Sequence, residues 1–201
     1  MGLIINGGWV MAVLIGLSIT SLAIILQKLV LLKSTRVNQN FIQTVKGKLT
    51  TDSVESVVKE LQYSRQVAGQ IAAKSIEKHG ASDAAISAEI LEVTKTDVQQ
   101  LTSKMGLLSM IITTAPVLGL LGTVLGLMDV FSVIALEGTG QAELLSDGIS
   151  KALVTTVAGL SLAIPLMFIH QFLNSKIDQR LDEWDNIPVQ LVAFLNDRAN
   201  A

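Results

Sequence analysis

Ala115-Pro116-Val117-Leu118-Gly119-Leu120-Leu121-Gly122-Thr123-Val124-Leu125-Gly126 lies inside a segment, residues 105–128, that carries no charged side chain. A second such segment, residues 152–175, contains Ala152-Leu153-Val154-Thr155-Thr156-Val157-Ala158-Gly159-Leu160-Ser161-Leu162-Ala163-Ile164-Pro165. As a helix at about 1.5 Å per residue, each segment is about 36 Å long, enough to cross a hydrocarbon core of about 30 Å with some tilt. Neither is the plain aliphatic sequence that lipid contact alone would require. Small residues, hydroxyls and one proline in each give both helices a side suited to protein or water.

The rest of the composition agrees. Half of the 201 residues are hydrophobic and only 16% are charged, which marks an integral membrane protein. The net charge of −2 argues against a nucleic-acid partner. There is no cysteine, so disulfides, thiolate nucleophiles and cysteine-based metal sites are excluded.

A further apolar stretch precedes these two, and no charge appears before Lys28. A secretory signal would carry its basic residues before the apolar core and a small-residue cleavage site after it. Here Lys28, Lys33 and Arg36 follow the core, so residues 9–32 read as an uncleaved span with Trp9 at the interface. Basic residues flank the inner ends of all the spans: Lys33, Arg36, Lys46 and Lys48, then Lys95 and Lys104, then Lys176 and Arg180. The connection between the second and third spans carries Asp129, Glu137, Glu143 and Asp147 against Lys151. This asymmetry predicts an all-α membrane protein with its N-terminus outside and its C-terminus inside. The divisions are an external N-terminus 1–8, spans at 9–32, 105–128 and 152–175, a cytoplasmic helical segment 33–104, an external loop 129–151 and a cytoplasmic helical tail 176–201.

Within residues 33–104, Gly47, Thr50-Thr51-Asp52-Ser53 and Gly80-Ala81-Ser82-Asp83 punctuate the chain. Both polar clusters are expected to start helices, because Ser, Thr and Asp oxygens accept from orphan N–H groups. Val54, Val57, Val58 and Leu61 form one helical stripe; Ile86, Ile90, Val93, Thr94, Asp97 and Leu101 form another. No proline lies between Ser82 and Pro116, so one unbroken helix is expected to enter the second span. The third span is expected to continue through Phe172, Leu173, Ile177 and Leu181 and to break at Pro188, with a short final helix over 189–197.

No catalytic set is present. The histidines, His79 and His170, are isolated, and His170 reads as a packing or interfacial residue. Gly119, Gly122 and Gly126 do not follow a strand and precede no lysine, so they are not a phosphate loop; in membrane helices such glycines allow close approach. Thr123 lies near the middle of the second span, and Thr155 and Thr156 in the outer half of the third. Ala152, Thr156, Gly159 and Ala163 share a helical face that can meet a helix or a narrow wet path; alternatively each hydroxyl bonds back to its own helix. An ion-translocating protein keeps an ionisable group inside the membrane. These spans hold no Asp, Glu, Arg or Lys well inside them, so an ion path would need a carboxylate from a second chain.

The two patterned stretches, extended to Thr114 and to Leu127-Met128 in the first and back to Gly148-Ile149-Ser150-Lys151 in the second, resemble the MotA/TolQ/ExbB proton channel family. Gly7-Gly8-Trp9 resembles it more weakly, and the Gly138-Thr139-Gly140 loop is similar to the ExbB-like branch. The resemblance implies a homopentamer whose second and third spans line a central pore. Ala115, Pro116, Gly119, Gly122, Gly126, Ala152, Gly159, Ala163 and Pro165 would pack the helices or line that pore. It further implies an ExbD- or TolR-like single-span dimer in the pore whose aspartate carries the ion, a TonB- or TolA-like trans-envelope protein beyond it, and a bacterial inner-membrane location. Thr123 and Thr156 match the family's pore-facing threonines. Two departures concern charge: Gln27-Lys28 stands where many relatives have an acidic residue, and Lys151 where many have Glu. A third, the doublet Thr155-Thr156, is similar to sodium-driven stators. A sodium ion needs several oxygen ligands in place of its hydration shell, so the expectation includes transient Na+ near Thr155 and Thr156, with transported H+ the alternative and no bound cofactor or resident metal. The function expected is that of an ion-conducting motor subunit rather than an enzyme; a non-conducting scaffold that assembles partners is the alternative.

Overall fold

A computed structural model describes residues 8–38, 40–64, 66–137 and 142–199. The described residues are helical, without strands: α1 (Gly8–Ser34), α2 (Phe41–Thr51), α3 (Val54–Gln62), α4 (Val67–Glu77), α5 (Asp83–Thr102), α6 (Met105–Glu137) and α7 (Ala142–Ala199). Three stretches are long and apolar enough to cross a membrane, within Gly8–Ser34, Ala84–Leu136 and Gly148–Arg198. The Gly138-Thr139-Gly140 loop and Gly7 lie outside the described residues. The chain divides into a membrane unit, Met1–Gln27 with Lys104–Leu173, and a polar unit, Lys28–Ser103 with Asn174–Ala201.

In the membrane unit, α6 and α7 run antiparallel, as their close approaches show. Along α6, positions 115, 119, 126 and 130 meet positions 159, 155, 152 and 148 of α7 in descending order. Val10 and Leu14 of α1 share a buried cluster with Ala115 and Ala163. The outward surface is apolar: Ile19, Leu22, Leu120, Val124, Val157, Ile164 and Phe168 are exposed. Helices satisfy their own backbone groups, so such a surface is stable in lipid and not in water.

The polar unit is assembled differently. Ser53 and Ser82 cap α3 and α5, accepting from the N–H groups of Ser56 and Ala85, as both polar clusters lead one to expect. Ile71, Ala72, Ala73 and Ile76 of α4 are buried, a helix that the reading of residues 33–104 did not single out. Gly47, read as punctuation, lies inside α2. Lys74 bridges Glu77 at 3.2 Å and Glu89 at 3.1 Å, joining α4 to α5. The Arg198 guanidinium donates to the Leu49 carbonyl in the last turn of α2, and Lys46 sits 5.5 Å above the Phe194 ring.

Two expectations about helix ends are corrected. The chain does not enter the second span as one helix: α5 ends at Thr102 and α6 starts at Met105, with Lys104 left-handed at φ 62° between them. No glycine or proline marks that break, so propensity alone could not reveal it. Conversely, α7 does not break at Pro188 but continues to Ala199. An interior proline costs about 3 kcal/mol. Trp184, Ile187 and Leu191, all buried, lie along one face across it and contribute about 1.5–3 kcal/mol each, which outweighs that cost.

Candidate functional site

The seam between α6 and α7 gathers most of the residues singled out from the sequence. A Cβ on Gly119 would lie 2.9 Å from the Thr155 carbonyl oxygen and 3.0 Å from the Thr156 Cα. One on Gly126 would lie 2.7 Å from the Ala152 Cβ, and one on Gly159 2.5 Å from the Ala115 carbonyl oxygen. One on Gly122 would overlap the Thr155 side chain. These distances are shorter than carbon can tolerate, so the glycines let the two backbones touch. Ala115, Ala152 and Ala163 are buried in the same unit. Pro116 is half-buried and Pro165 exposed.

The threonines have three different surroundings. Thr155 is 2% exposed. Its hydroxyl is shared between the Gly119 carbonyl across the seam, at 3.1 Å, and the Ala152 carbonyl of its own helix, at 2.8 Å. Thr123 donates to the Leu120 carbonyl of its own helix at 2.7 Å. The Thr156 hydroxyl oxygen is buried and has no hydrogen-bond partner among the described residues. A buried hydroxyl without a partner costs about 1–3 kcal/mol, so Thr156 is the one threonine here held at a cost.

The face drawn through Ala152, Thr156, Gly159 and Ala163 therefore runs through Thr155 instead. Ala152, Thr155, Gly159 and Ala163, at i, i+3, i+7 and i+11, are the positions buried deepest. Both registers are helical, and the choice between them was present in the partner pattern. Gly119 and Gly122 on α6 clear room for one side chain larger than alanine, and Thr155 fills it, while Gly126 faces Ala152. Lys28, read from the sequence as a basic flank of the first span, is completely buried.

Among the described residues, no group of His, Cys, Asp or Glu is placed to hold a metal ion. The spans carry hydroxyls, carbonyls and no carboxylate, an arrangement able to accept a hydrogen bond or ligate a cation and unable to titrate by itself.

An all-helical, multi-pass membrane protein with a glycine-lined seam and an unpartnered threonine is the class that this architecture defines. The model for the MotA/TolQ/ExbB proton channel family matches residues 63–186, which include both patterned spans, and the chain belongs to that family. Among relatives, a putative biopolymer transport protein ExbB-like 3 of Synechocystis is 31% identical over 170 residues, 83% of this chain and 81% of that protein. A biopolymer transport protein ExbB of Aquifex aeolicus is 34% identical over 44% of this chain and 60% of its own length. A putative ExbB homolog of Methanothermobacter thermautotrophicus is 36% identical over 43% of this chain, the match spanning 30% of that protein. These similarities place the chain in the ExbB-like branch, a transport family rather than an enzyme family.

Proposed function

We propose that this chain is the membrane-embedded subunit of an ion-driven motor in a bacterial inner membrane, with its N-terminus outside. Five copies surround a pore that holds an ExbD- or TolR-like single-span dimer, and ion flow does mechanical work on a TonB- or TolA-like trans-envelope protein. The observation that carries this reading is Thr156, whose buried hydroxyl has no partner among the described residues. The Thr156 side chain as a whole is half-buried, so a rotation about its first side-chain bond would present the hydroxyl to a partner's membrane carboxyl, donating to a carboxylate or accepting from a carboxylic acid. The lack of any carboxylate within residues 105–128 and 152–175 supports a second chain as its source.

The proposed ion is the proton. The sodium reading rests on two hydroxyls at one site, and the Thr155 hydroxyl is enclosed in the α6–α7 seam with its hydrogen directed to carbonyls. Thr123, exposed enough to be reached and bonded only to its own helix, is the second pathway residue. The test is reconstitution with a single-span aspartate-bearing partner, followed by stoichiometry and proton flux in sodium-free medium at constant membrane potential. Thr156→Val should assemble normally and lose flux by about tenfold or more, the scale of a lost hydrogen bond to a charged group. Full flux in an assembled Thr156→Val complex would remove Thr156 from the path, flux only with sodium would restore the sodium reading, and assembly without flux in the unaltered protein would favour the scaffold.

A further inference from the structure

The helix break at Ser103–Lys104 has no local cause. Residues 99–108 contain no proline, and their one glycine, Gly106, lies inside α6. Nevertheless Lys104, an L-residue with a side chain, sits at φ 62°, a region such residues enter at a steric cost. A conformation of this kind persists only where its surroundings over-determine it.

The surroundings are supplied by α1. Lys28 is completely buried. Its ammonium donates to the Gln100 carbonyl at 2.6 Å, the Leu101 carbonyl at 2.9 Å and the Ser103 hydroxyl at 3.4 Å. In a continuous helix those two carbonyls would accept from the N–H groups of Lys104 and Met105. A buried cation held against the last carbonyls of α5 also meets the negative end of the helix dipole. In the membrane unit, Lys104 in turn donates to the Gln27 side-chain oxygen at 2.8 Å, so a side chain on α1 fixes the outward course of Lys104 as well.

We propose that Lys28 is a positioning residue that keeps α5 and α6 two helices rather than one. By occupying the Gln100 and Leu101 carbonyls, its ammonium denies them to the next turn. α6 then begins afresh at Met105. It can take the rotation about its own axis that Gly119, Gly122 and Gly126 need against α7. The same rotation sets the direction in which Thr123 lies.

The full chain, purified in detergent or nanodiscs, tests this by amide hydrogen exchange over residues 100–107, a readout that does not depend on ion conduction. Lys28→Met keeps the length of the side chain and removes the charge; exchange of the Lys104 and Met105 amides should slow by about tenfold or more as the two helices fuse. Lys28→Arg should retain the unaltered pattern. Adding Lys104→Gly to Lys28→Met should restore it, because glycine takes the left-handed conformation and ends a helix without help. Unchanged exchange in Lys28→Met would overturn the proposal. So would general loss of protection in Lys28→Met that Lys104→Gly does not reverse, since that outcome makes Lys28 a residue of bulk stability alone.

Discussion

The α6–α7 seam and the C-terminal part of α7 are both helix contacts, yet they are built from opposite residues. In the seam, Gly119, Gly122, Gly126 and Gly159 bring backbones together around a single threonine. Further along, Trp184, Ile187, Leu191 and Leu195 are buried, a large-residue stripe of ordinary globular type. The difference follows from the solvent. Water rewards the burial of large apolar groups. Lipid does not distinguish leucine from its own chains, so helices in it associate through close backbone approach and a few hydrogen bonds. One 58-residue helix, α7, carries both chemistries in succession.

The sharpest way to break the comparison is to exchange the residue types. Gly159→Leu places carbon against the Ala115 carbonyl, and backbone on both sides cannot give. It is expected to separate α6 from α7 and to remove the folded membrane unit, an effect at or above the ~1–3 kcal/mol usual for overpacking. Gly122→Leu meets the Thr155 side chain and should act similarly. Leu191→Ala makes the reverse change in the polar unit and should cost about 2–5 kcal/mol there. Thermal unfolding in detergent, with hydrogen exchange to assign the unit affected, reads both. A Gly159→Leu variant as stable as the unaltered chain would show that the seam is not the contact that holds the spans.

A smaller contrast lies between adjacent hydroxyls. Thr155→Val removes a hydrogen bond across the seam and should cost about 0.5–1 kcal/mol, whereas Thr155→Ser should be close to neutral. Thr156→Val removes a hydroxyl that bonds nothing among the described residues and should leave stability unchanged or raised. Equal losses from the two valine substitutions would erase the distinction between a seam threonine and an unpartnered one.

The sequence made the membrane unit legible because lipid imposes simple rules. Uncharged stretches gave the three candidate spans, and the glycines gave the close approach. The register was legible only from the two helices read together, since Thr155 and Thr156 both continue a helical face and the glycines of the partner helix decide between them. In the polar unit the serine caps were readable one residue at a time. The break at Lys104 was not, because its cause is Lys28, more than seventy positions earlier. Pro188 misled for the complementary reason: its local cost is fixed, while the burial that offsets it is tertiary.

The smallest expected effect sets two carboxylates of α5 against each other. Hydrogen bonding to Lys74, reinforced by its charge, holds the Glu89 carboxyl below the ordinary value of 4.5. Burial pushes the Asp97 carboxyl above the ordinary value of 3.8, only partly opposed by a hydrogen bond to its own backbone. For Glu89 the folded state favours the charged form, so its contribution is present above the unfolded pKa and is lost as pH falls through the lowered folded value. For Asp97 the folded state disfavours the charged form, so a penalty stands at neutral pH and is relieved as pH falls through the raised folded value. Glu89→Gln should therefore lower the unfolding midpoint at neutral pH, and Asp97→Asn should raise it. Both differences should shrink on acidification, that of Asp97 as its raised carboxyl takes up a proton and that of Glu89 as pH falls from its unfolded value toward its lowered folded one. The measurement is the thermal midpoint of each variant against the unaltered chain from neutral pH down to about pH 4. A lowered midpoint for Asp97→Asn at neutral pH would mean that the carboxylate is held by a favourable contact rather than merely tolerated on a half-buried face.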